Sequence, residues 1–394
     1  MAVGIIAEYN PFHSGHAWQI REIRRRLGED TSIVIAMSGN FVQRGDVAIM
    51  EKHLRAADAV RGGADLILGL PAAASLSSAE GFAAAGVKLL SATGVVDTLC
   101  YGTENADASS LRRIAEALVS EDFPPLLQME LKRGISFAAA REKALAALIG
   151  EELAALSESP NNILAIAYET ALLSSPLFSI SLPRVGARHD GADTADGFAS
   201  ASYIREKLLA GEAADSFLTE ASRETYRLEA AAGRAPVSLK NAERAVLARL
   251  RSMSEEDFAA YDEGGEGLYR RFCAAAHQAR SIEELLEAVK TKRYAMARLR
   301  RMLLRAYLAL PDAAEVPYLQ VLAANSRGCA LLKEMKQAAT LPVLTKSAEA
   351  RNFEGAARAV FEAECRCTDL YALCCPSLTD SQGDAEWRRS PTIV

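Results

Sequence analysis

Short apolar runs alternate with longer stretches of helical periodicity through the first two hundred residues. The apolar runs carry no polar face, which is typical of parallel strands that helices cover on both sides. They predict strands at Val3–Ala7, Ser32–Met37, Asp65–Leu68, Thr98–Tyr101 and Ser179–Arg184. Helical patterns separate them at Gly15–Leu27, Lys52–Gly62, Ser77–Ser91 and, as a longer helical insertion, 109–174. This order predicts an α/β fold, with a Rossmann-like, five-stranded parallel domain over residues 1–211.

The alternation ends near residue 212. Alanine, arginine and glutamate then recur with helical spacing, which predicts a second, mostly α-helical domain over residues 212–394. Two short apolar runs, 318–322 and Leu341–Leu344, are compatible with either strand or helix. The last residues, 380–394, are expected to be loosely held.

Composition narrows the class of protein. Half of the 394 residues are apolar and 24% are charged, which is the balance of a folded globular protein. The net charge of −6 gives no general attraction to nucleic acid, so an RNA partner requires a local basic patch. The N-terminus has no features of a signal peptide, and no apolar stretch reaches the ~20 residues that span a bilayer. We therefore expect a cytoplasmic protein without membrane contact.

The seven cysteines predict reduced thiols rather than a disulfide framework. Cys365, Cys367, Cys374 and Cys375 lie close together in sequence, but they lack the spacers and histidines that are usual at zinc sites. We interpret them as small buried hydrophobic residues and predict no protein metal site.

The strongest chemical signal lies between the first predicted strand and the first helix. The segment from Asn10 to His16 contains the pattern H-x-G-H, with imidazoles at His13 and His16. A helix N-terminus offers unpaired N–H groups and a positive dipole end, and both imidazoles can donate to phosphate oxygens. Gly15 permits close backbone approach. The alternative is that both histidines only cap and pack the first helical turn.

A second signal follows the fifth predicted strand. Ser200 and Ser202 open a helix that carries Arg205 one turn later, so hydroxyls and a guanidinium are available to clamp the β- and γ-phosphates of ATP. The pattern is also that of an ordinary helix cap followed by a solvated arginine. It gains specificity only together with the histidines.

These two stretches resemble the signatures of the H-x-G-H nucleotidylyltransferase superfamily. The runs Glu8–His13, Met37–Gly45, Pro160–Leu164, 290–294 and 368–371 resemble more closely the bacterial tRNA-methionine cytidine acetate ligase family, over nearly the whole chain. The resemblance implies ATP-dependent activation of acetate to acetyl-adenylate. It also implies transfer of the acetyl group to the exocyclic amine of the wobble cytidine in elongator methionine tRNA. Composition and spacing by themselves show neither acetate nor this tRNA.

His13, His16 and Arg205 are the expected catalytic residues. The amide groups of Ser38, Gly39 and Asn40, in the glycine-containing turn after the second strand, are expected to face the nucleotide or the acyl group; the alternative is a plain turn between strand and helix. The resemblance assigns nucleotide contacts to Gly102, to one of Asn161 and Asn162, and to Arg184. The expected ATP-binding residues are Ile6, Ala7, Glu8, Tyr9, Asn10, Pro11, Phe12, His13, Gly15, His16, Gly102, Asn161, Asn162, Arg184, Ser200, Ser202 and Arg205. Which of the two asparagines contacts the nucleotide is left open. Magnesium is expected to accompany the triphosphate.

Basic residues are densest in one segment of this otherwise acidic chain. The tRNA contact is expected at Lys290, Lys292, Arg293, Tyr294, Arg298, Arg300 and Arg301. The alternative is a solvated amphipathic helix that buries Met296, Leu299, Met302 and Leu303. Lys52 and Arg55 are also available for phosphate or RNA, although a solvated helix face is the commoner explanation of such a pair.

Two other functions use the same motif. A small-molecule adenylyltransferase of cofactor biosynthesis would transfer AMP to a phosphorylated precursor at the same H-x-G-H site. A non-catalytic RNA-binding protein that retains nucleotide only for stability is the third possibility. No protein partner can be inferred.

Overall fold

Strands and helices alternate through the first half of the chain, as the hydrophobic pattern predicts. The computed structural model describes residues 1–104, 107–183, 198–262, 267–310 and 315–394, with the backbone alone at positions 158, 160 and 161. Its strands are β1 (Ala2–Ala7), β2 (Ser32–Ser38), β3 (Phe41–Val42), β4 (Asp46–Val47), β5 (Leu66–Leu70), β6 (Thr98–Thr103), β7 (Phe178–Pro183), β8 (Leu319–Ala324), β9 (Val343–Leu344) and β10 (Thr392–Ile393).

The helices fall into three groups. Those that connect the parallel strands are α1 (Ser14–Leu27), α2 (Lys52–Arg61), α3 (Ala72–Ser75) and α4 (Ala79–Ala92). Those between β6 and β7 are α5 (Ala108–Val119), α6 (Phe123–Leu131), α7 (Phe137–Ile149), α8 (Glu151–Ala155) and α9 (Pro160–Leu172). The later helices are α10 (Ala201–Leu209), α11 (Glu220–Ala231), α12 (Glu243–Arg251), α13 (Glu255–Ala259), α14 (Leu268–Gln278), α15 (Ile282–Val289), α16 (Met296–Leu308), α17 (Ser326–Ala338) and α18 (Gly355–Ala372).

The main sheet has the strand order β10–β8–β5–β2–β1–β6–β7, and β9 also pairs with β8. β1 lies among five mutually parallel strands, with β2 and β5 on one side and β6 and β7 on the other. The five strands that the sequence predicts are therefore confirmed. Their carboxyl ends share one edge of the sheet, where open α/β sheets bind their ligands.

Successive residues of the central strands face two different hydrophobic cores, which explains why these strands carry no polar face. Val3 and Ile5 share one core with Ile35 and with helices α1 and α2. Ile6 and Val34 belong to the other core, together with α4 and α9. The alternation follows from the two-residue period of a strand, so both faces must be apolar.

Three strands from the C-terminal part extend the sheet beyond the five that are predicted. β8 pairs antiparallel with β5, and β9 and β10 lie end to end along the other edge of β8. The two apolar runs that periodicity left undecided are thus strands. β8 is buried along its whole length, and all its residues except Gln320 are apolar.

A separate core holds helices α12 to α16 and α18 together. It also contains Phe41 and Val47 of the β3–β4 hairpin, so the N-terminal part of the chain inserts a hairpin into the helical part. Cys367 and Cys374 belong to this core, as small buried side chains. Among the described helices, none is long and apolar enough to cross a membrane.

A buried carboxylate anchors the C-terminal tail, so the expectation that residues 380–394 are loosely held is wrong. Glu386 is 0% exposed. Its Oε1 accepts hydrogen bonds from Lys52 Nζ at 2.8 Å and from Gln320 Nε2 at 2.7 Å. Its Oε2 accepts one from Thr368 Oγ1 at 2.8 Å. A hydrophobic pattern cannot reveal this anchor, because the anchoring group is charged.

Lys52 supplies the positive charge of this cluster. Its side chain is 1% exposed, and its ammonium lies 2.8 Å from Glu386 and 3.6 Å from Glu364. Burial opposes the charge on Lys52, but the two carboxylates outweigh it and raise the pKa of the ammonium. Burial likewise opposes ionisation of Glu386, yet Lys52 lowers its pKa to about 2. Lys52 therefore neither lies on a solvated face nor reaches phosphate or RNA, and both interpretations of it are wrong.

Replacing Glu386 with Gln should lower the free energy of unfolding by about 3 kcal/mol at pH 7, because an amide cannot balance the buried Lys52 ammonium. A lowered pKa in the folded state means that the carboxylate stabilises the fold above its ordinary value of 4.5. This contribution is lost as the pH falls towards 2. Urea unfolding at several pH values should therefore show the difference from the parent protein narrowing below pH 4.5.

The control for this variant is Glu362→Gln, which removes an exposed carboxylate paired with Arg358 on the same helix, α18. A surface pair of this kind contributes about 0–1 kcal/mol. A loss at Glu386 that did not change with pH would contradict an electrostatic origin.

Candidate active site

The H-x-G-H segment caps helix α1 at the carboxyl end of β1. His13 Nδ1 accepts a hydrogen bond from Gly15 N at 3.0 Å, and His16 Nδ1 accepts one from His13 N at 3.3 Å. The two rings stack with their centroids 3.7 Å apart. Because each Nδ1 is an acceptor, the proton of each neutral ring lies on Nε2. The histidines thus do cap the helix, and the same capping fixes the tautomer that can donate to phosphate from Nε2.

Gly15 is required by the position of the His13 ring. A Cβ at Gly15 would lie 2.9 Å from His13 Cε1, so a larger residue would displace the imidazole from the first helical turn. The preceding loop is also constrained, since Tyr9 has a φ of 45° and its ring centroid lies 4.6 Å from that of His16. Such backbone conformations persist only where the surrounding structure holds them in place.

The serine-arginine motif meets the histidine loop directly. Ser200 caps α10 by accepting a hydrogen bond from Tyr203 N at 3.2 Å. Arg205 Nη2 donates to Ser202 Oγ at 3.1 Å, and its Nη1 donates to the carbonyl of Asn10 at 2.8 Å. Two motifs almost two hundred residues apart therefore form one site. Arg205 is not the solvated arginine of the alternative interpretation.

The surroundings of Arg205 and of the first turn of α1 reinforce this contact. Burial lowers the pKa of the Arg205 guanidinium, and the carboxylates of Glu8 and Asp46 oppose the shift. Ser14 donates from both N and Oγ to the carbonyl of Phe217, at 3.0 and 2.9 Å. The segment after α10 thereby holds the start of α1 in place beneath the histidines.

The turn after β2, residues 38–40, lies at the same edge of the sheet. Ser38 is 0% and Asn40 4% exposed. Asn40 Oδ1 accepts a hydrogen bond from Lys52 N at 2.9 Å. Within the described part of the chain, Ser38 Oγ and Asn40 Nδ2 have no hydrogen-bond partner. Buried polar atoms without a protein partner point to a ligand or water at this position.

Arg55 fastens the turn after β2 to the loop after β1. Its side chain is 0% exposed, and its guanidinium donates to the carbonyls of Glu8 at 2.6 Å, Ser38 at 3.2 Å and Met50 at 2.8 Å, and also to that of Gly39. It is therefore neither a solvated residue nor a phosphate or RNA ligand, and both interpretations are wrong. Its charge is used to organise backbone carbonyls at the sheet edge.

The loop after β6 brings Gly102 to this edge, where it is partly exposed. Asn162, at the start of α9, is buried; its Oδ1 accepts from Glu104 N at 3.2 Å and its Nδ2 donates to Leu156 O at 3.0 Å. The Asn162 amide therefore supports the loop after β6. The Asn161 side chain and Arg184 lie outside the described residues.

The predicted basic segment divides into exposed and buried members. Lys290, Lys292, Arg293 and Arg300 are exposed, whereas Arg298 is partly buried. Tyr294 is 6% exposed, with the guanidinium groups of Arg293 and Arg298 over its ring. Arg301 is 8% exposed and donates to the carbonyl of Gln43 at 3.3 Å. The accessible basic surface is therefore smaller than the sequence suggests.

The β3–β4 hairpin joins these two regions. Gln43 N donates to Glu8 Oε1 at 2.8 Å on the side of the histidine loop. On the other side, Gly45 packs against α16 so closely that a Cβ would lie 2.6 Å from both Arg300 Cβ and Arg301 N. The hairpin thus contacts both the candidate nucleotide loop and the candidate RNA helix.

Sequence reasoning missed two parts of this arrangement. It assigned no role to Asp46, although this carboxylate directly follows the Gln43–Gly45 turn that carried the family resemblance. It also missed Phe217, whose contribution is a backbone carbonyl and so leaves no trace in the sequence. For Asp46 the available signal was a carboxylate in the polar run Gln43–Asp46, with apolar residues on both sides.

Comparison with known proteins identifies the family. The HIGH Nucleotidyl Transferase family matches residues 1–386. The tRNA(Met) cytidine acetate ligase of Thermosipho melanesiensis is 33% identical over 356 residues, which cover 87% of this chain and 84% of that protein. The enzyme of the same name from Syntrophomonas wolfei is 33% identical over 411 residues, covering 99% and 98%. This chain belongs to the tRNA(Met) cytidine acetate ligase family.

Solved structures agree with this assignment to the tRNA(Met) cytidine acetate ligase family. The apo form of Thermotoga maritima TmcAL is similar with a TM-score of 0.92 at 30% identity, over 100% of this chain and 99% of that one. The same protein bound with alpha-thio ATP gives a TM-score of 0.89 over the same shares. The resemblance drawn from the H-x-G-H loop and the later motifs is confirmed, and so is the α/β nucleotidyltransferase fold.

Gly45→Ala should lower the free energy of unfolding by about 3 kcal/mol, because the new methyl group collides with α16 in addition to straining a φ of +76°. Gly134→Ala is the matched control, since Gly134 has the same φ of +76° and no atom within 4 Å of its Cβ position. The control should lose only about 1 kcal/mol. Equal losses in urea unfolding would mean that close packing of hairpin and helix does not matter.

Proposed function

We propose that this chain uses ATP to convert acetate to acetyl-adenylate and then transfers the acetyl group to the exocyclic amine of the wobble cytidine in elongator methionine tRNA. The observation that carries the proposal is the contact between Arg205 and the H-x-G-H loop at Asn10. This contact brings together the two motifs proposed to bind phosphate, in a chain whose 33% identical relatives are named tRNA(Met) cytidine acetate ligases. Such an enzyme works in the cytoplasm, with ATP and tRNA.

In the first half-reaction, an acetate oxygen bonds to the α-phosphorus of ATP, and the bond to the bridging oxygen breaks to release pyrophosphate. Negative charge grows on the phosphate oxygens during this displacement. The Nε2–H groups of His13 and His16 are suited to stabilise it, while Arg205 neutralises the β- and γ-phosphates. These groups are held in place by contacts within the protein, so little rearrangement accompanies the reaction.

The remaining nucleotide contacts are assigned by position. The loop of residues 6–12 and Gly102 lie where the sheet edge receives ribose and adenine, and Ser200 and Ser202 adjoin Arg205. Asn161 is the better candidate of the asparagine pair, because the Asn162 amide already supports the loop after β6. Arg184 remains a proposed phosphate contact.

We assign acetate to the turn after β2. Ser38 Oγ and Asn40 Nδ2 are buried donors without a hydrogen-bond partner in the described protein. Two such donors match the acceptor oxygens of a small carboxylate. Acetate is proposed over larger acids because the relatives are named cytidine acetate ligases.

Magnesium enters the proposal as the counter-ion of ATP. Among the described residues, no three His, Cys, Asp or Glu side chains converge to hold a metal ion. The proposed ion is one that phosphate oxygens and water coordinate, which is the usual habit of Mg²⁺ with nucleotides.

The tRNA surface is proposed at the exposed basic residues that precede and begin α16. Lys290, Lys292, Arg293 and Arg300 offer positive charge to phosphates, and the Arg301 guanidinium ties this surface to the hairpin at Gln43. Tyr294 supports the surface from beneath, where two guanidinium groups cover its ring, instead of stacking on a base.

The test is to incubate the protein with ATP and labelled acetate, with and without tRNA, and to follow both pyrophosphate and label. We expect acetate-dependent ATP–pyrophosphate exchange without tRNA, and label in tRNA only when all three substrates are present. His16→Ala should reduce the exchange by about 100-fold or more while tRNA affinity changes little. AMP transfer to a small metabolite without acetate would contradict the proposal and support the small-molecule adenylyltransferase.

The matched control is Ser14→Ala in the same helical turn. It removes the hydroxyl that bonds Phe217 O but keeps Ser14 N on the same acceptor, so exchange should stay within about threefold of the parent. A loss of tRNA binding by His16→Ala would show that the ATP and tRNA sites are not separate.

Neutralising Lys292 and Arg293 together should weaken tRNA binding by about tenfold at moderate salt and reduce the slope of log affinity against log salt by about 2, since two phosphate contacts are lost. Filter binding over a salt series measures both. Pyrophosphate exchange without tRNA should not change. The control is the pair Lys132→Ala and Arg133→Ala, two adjacent exposed basic residues at the end of α6. If both pairs weakened binding equally, the surface would be wrongly placed.

A further inference from the structure

An open cavity of about 330 Å³ lies between the β3–β4 hairpin and the helical part of the chain. The hairpin contributes Gly45 and Asp46 to its wall. The helices across the cavity contribute apolar side chains, Leu286 on α15 and Met296 and Leu303 on α16, together with the charged side chains of Glu283, Glu287 and Arg300. A volume of this size lies within the range of small-ligand pockets and is large enough for a single nucleoside.

Asp46 lies on the hairpin and lines this cavity. Its carboxylate is close enough to the guanidinium groups of Arg205 and Arg300 that both lower its pKa, against a larger raising effect of burial. Arg205 is the proposed ligand of the ATP phosphates, and Arg300 belongs to the proposed tRNA surface. In the hairpin, Asp46 pairs with Val42, whose neighbour Gln43 is bound to Glu8, and it follows Gly45, which packs against Arg300. The hairpin therefore places Asp46 between the histidine loop and the proposed tRNA surface.

Other acidic residues around the cavity are placed differently. Glu243 Oε1 accepts a hydrogen bond from Ile282 N at 3.0 Å and so caps α15. Glu283 and Glu287 are on α15, which lies across the cavity from the hairpin. One hydrogen bond of the Asp46 side chain is described: its Oδ1 accepts from the backbone N of the next residue, Val47, at 2.8 Å.

We propose that this cavity receives the target cytosine and that Asp46 accepts the proton that its exocyclic amine loses during acetyl transfer. The inference rests on the proposed function and deepens it. An Asp carboxylate readily accepts a hydrogen bond from the N4 amine of cytosine. The same carboxylate would therefore recognise the base and accept its proton. A nucleoside drawn from a single-stranded loop is able to enter such a pocket.

The chemistry needs a proton acceptor. The lone pair of the N4 amine is delocalised into the cytosine ring, so the amine is a weak nucleophile. As N4 bonds to the carbonyl carbon of acetyl-adenylate, the bond from that carbon to the phosphate oxygen breaks, and AMP leaves with the electron pair. The N4 proton passes to Asp46 and then to solvent. Burial makes this carboxylate more basic than an exposed one, which suits the role.

The experiment separates the two half-reactions in the full-length protein. Enzyme-bound acetyl-adenylate is formed from labelled acetate and ATP, excess tRNA is added, and label in tRNA is followed in a single turnover. Asp46→Asn preserves side-chain shape and the acceptor for Val47 N. We expect transfer about 100-fold slower than in the parent, with acetate-dependent pyrophosphate exchange and tRNA affinity each within about threefold. Asp46→Glu, which restores a carboxylate, should transfer the acetyl group at least tenfold faster than Asp46→Asn.

Glu283→Gln is the control, because it removes a carboxylate from the opposite wall of the same cavity. It should leave transfer unchanged. Transfer by Asp46→Asn at the parental rate would overturn the proposal. So would an equal fall in exchange and transfer, which would place Asp46 in the ATP site instead. Absence of acetate-dependent exchange in the parent protein would refute the proposed function itself. That result is distinct from the two outcomes that would overturn the role of Asp46.

Discussion

The candidate active site depends on one buried cation. The Arg55 guanidinium has no access to solvent, and it binds the backbone carbonyls of Glu8, Ser38, Gly39 and Met50. A buried charge is tolerated only when every donor is satisfied, so the carbonyls must stay where the guanidinium needs them. The ends of β1 and β2 are thereby fixed relative to each other. The histidine loop and the Ser38–Asn40 turn extend from those two ends.

The second constraint is the hairpin that leaves this fixed edge. Phe41 and Val47 anchor it in the core of the helical part, while Gln43 is bound both to Glu8 and to Arg301. Close packing at Gly45 leaves no space between the hairpin and α16. Movement of α16 relative to the sheet therefore requires the hairpin to move as well. The distance between the two candidate substrate sites is set by contacts of a short segment and not by a flexible linker.

Much of the fold followed from the two-residue and 3.6-residue hydrophobic periods, because β1, β2 and α1 are formed by local sequence that agrees with their final packing. The histidine and serine-arginine motifs could be recognised for a similar reason, since each follows a strand that is itself predictable. The positions of Lys52 and Arg55 could not be predicted. Their charge suggests solvent, and only the fold brings Glu386 and the strand-end carbonyls to them. β10 was missed because two residues carry no detectable period.

The same distinction applies to the basic segment. From the sequence alone, every Lys and Arg of this segment could contact RNA. In the structure, Arg301 and Arg305 are buried and donate hydrogen bonds to the carbonyls of Gln43 and Leu310, respectively. Their charges shape the protein and release few counter-ions from RNA. An acidic chain with so few exposed basic residues on this helix gains little non-specific affinity for nucleic acid. Selective recognition of one tRNA at the proposed surface would then rest mainly on the shape of the RNA and on the proposed pocket for the base.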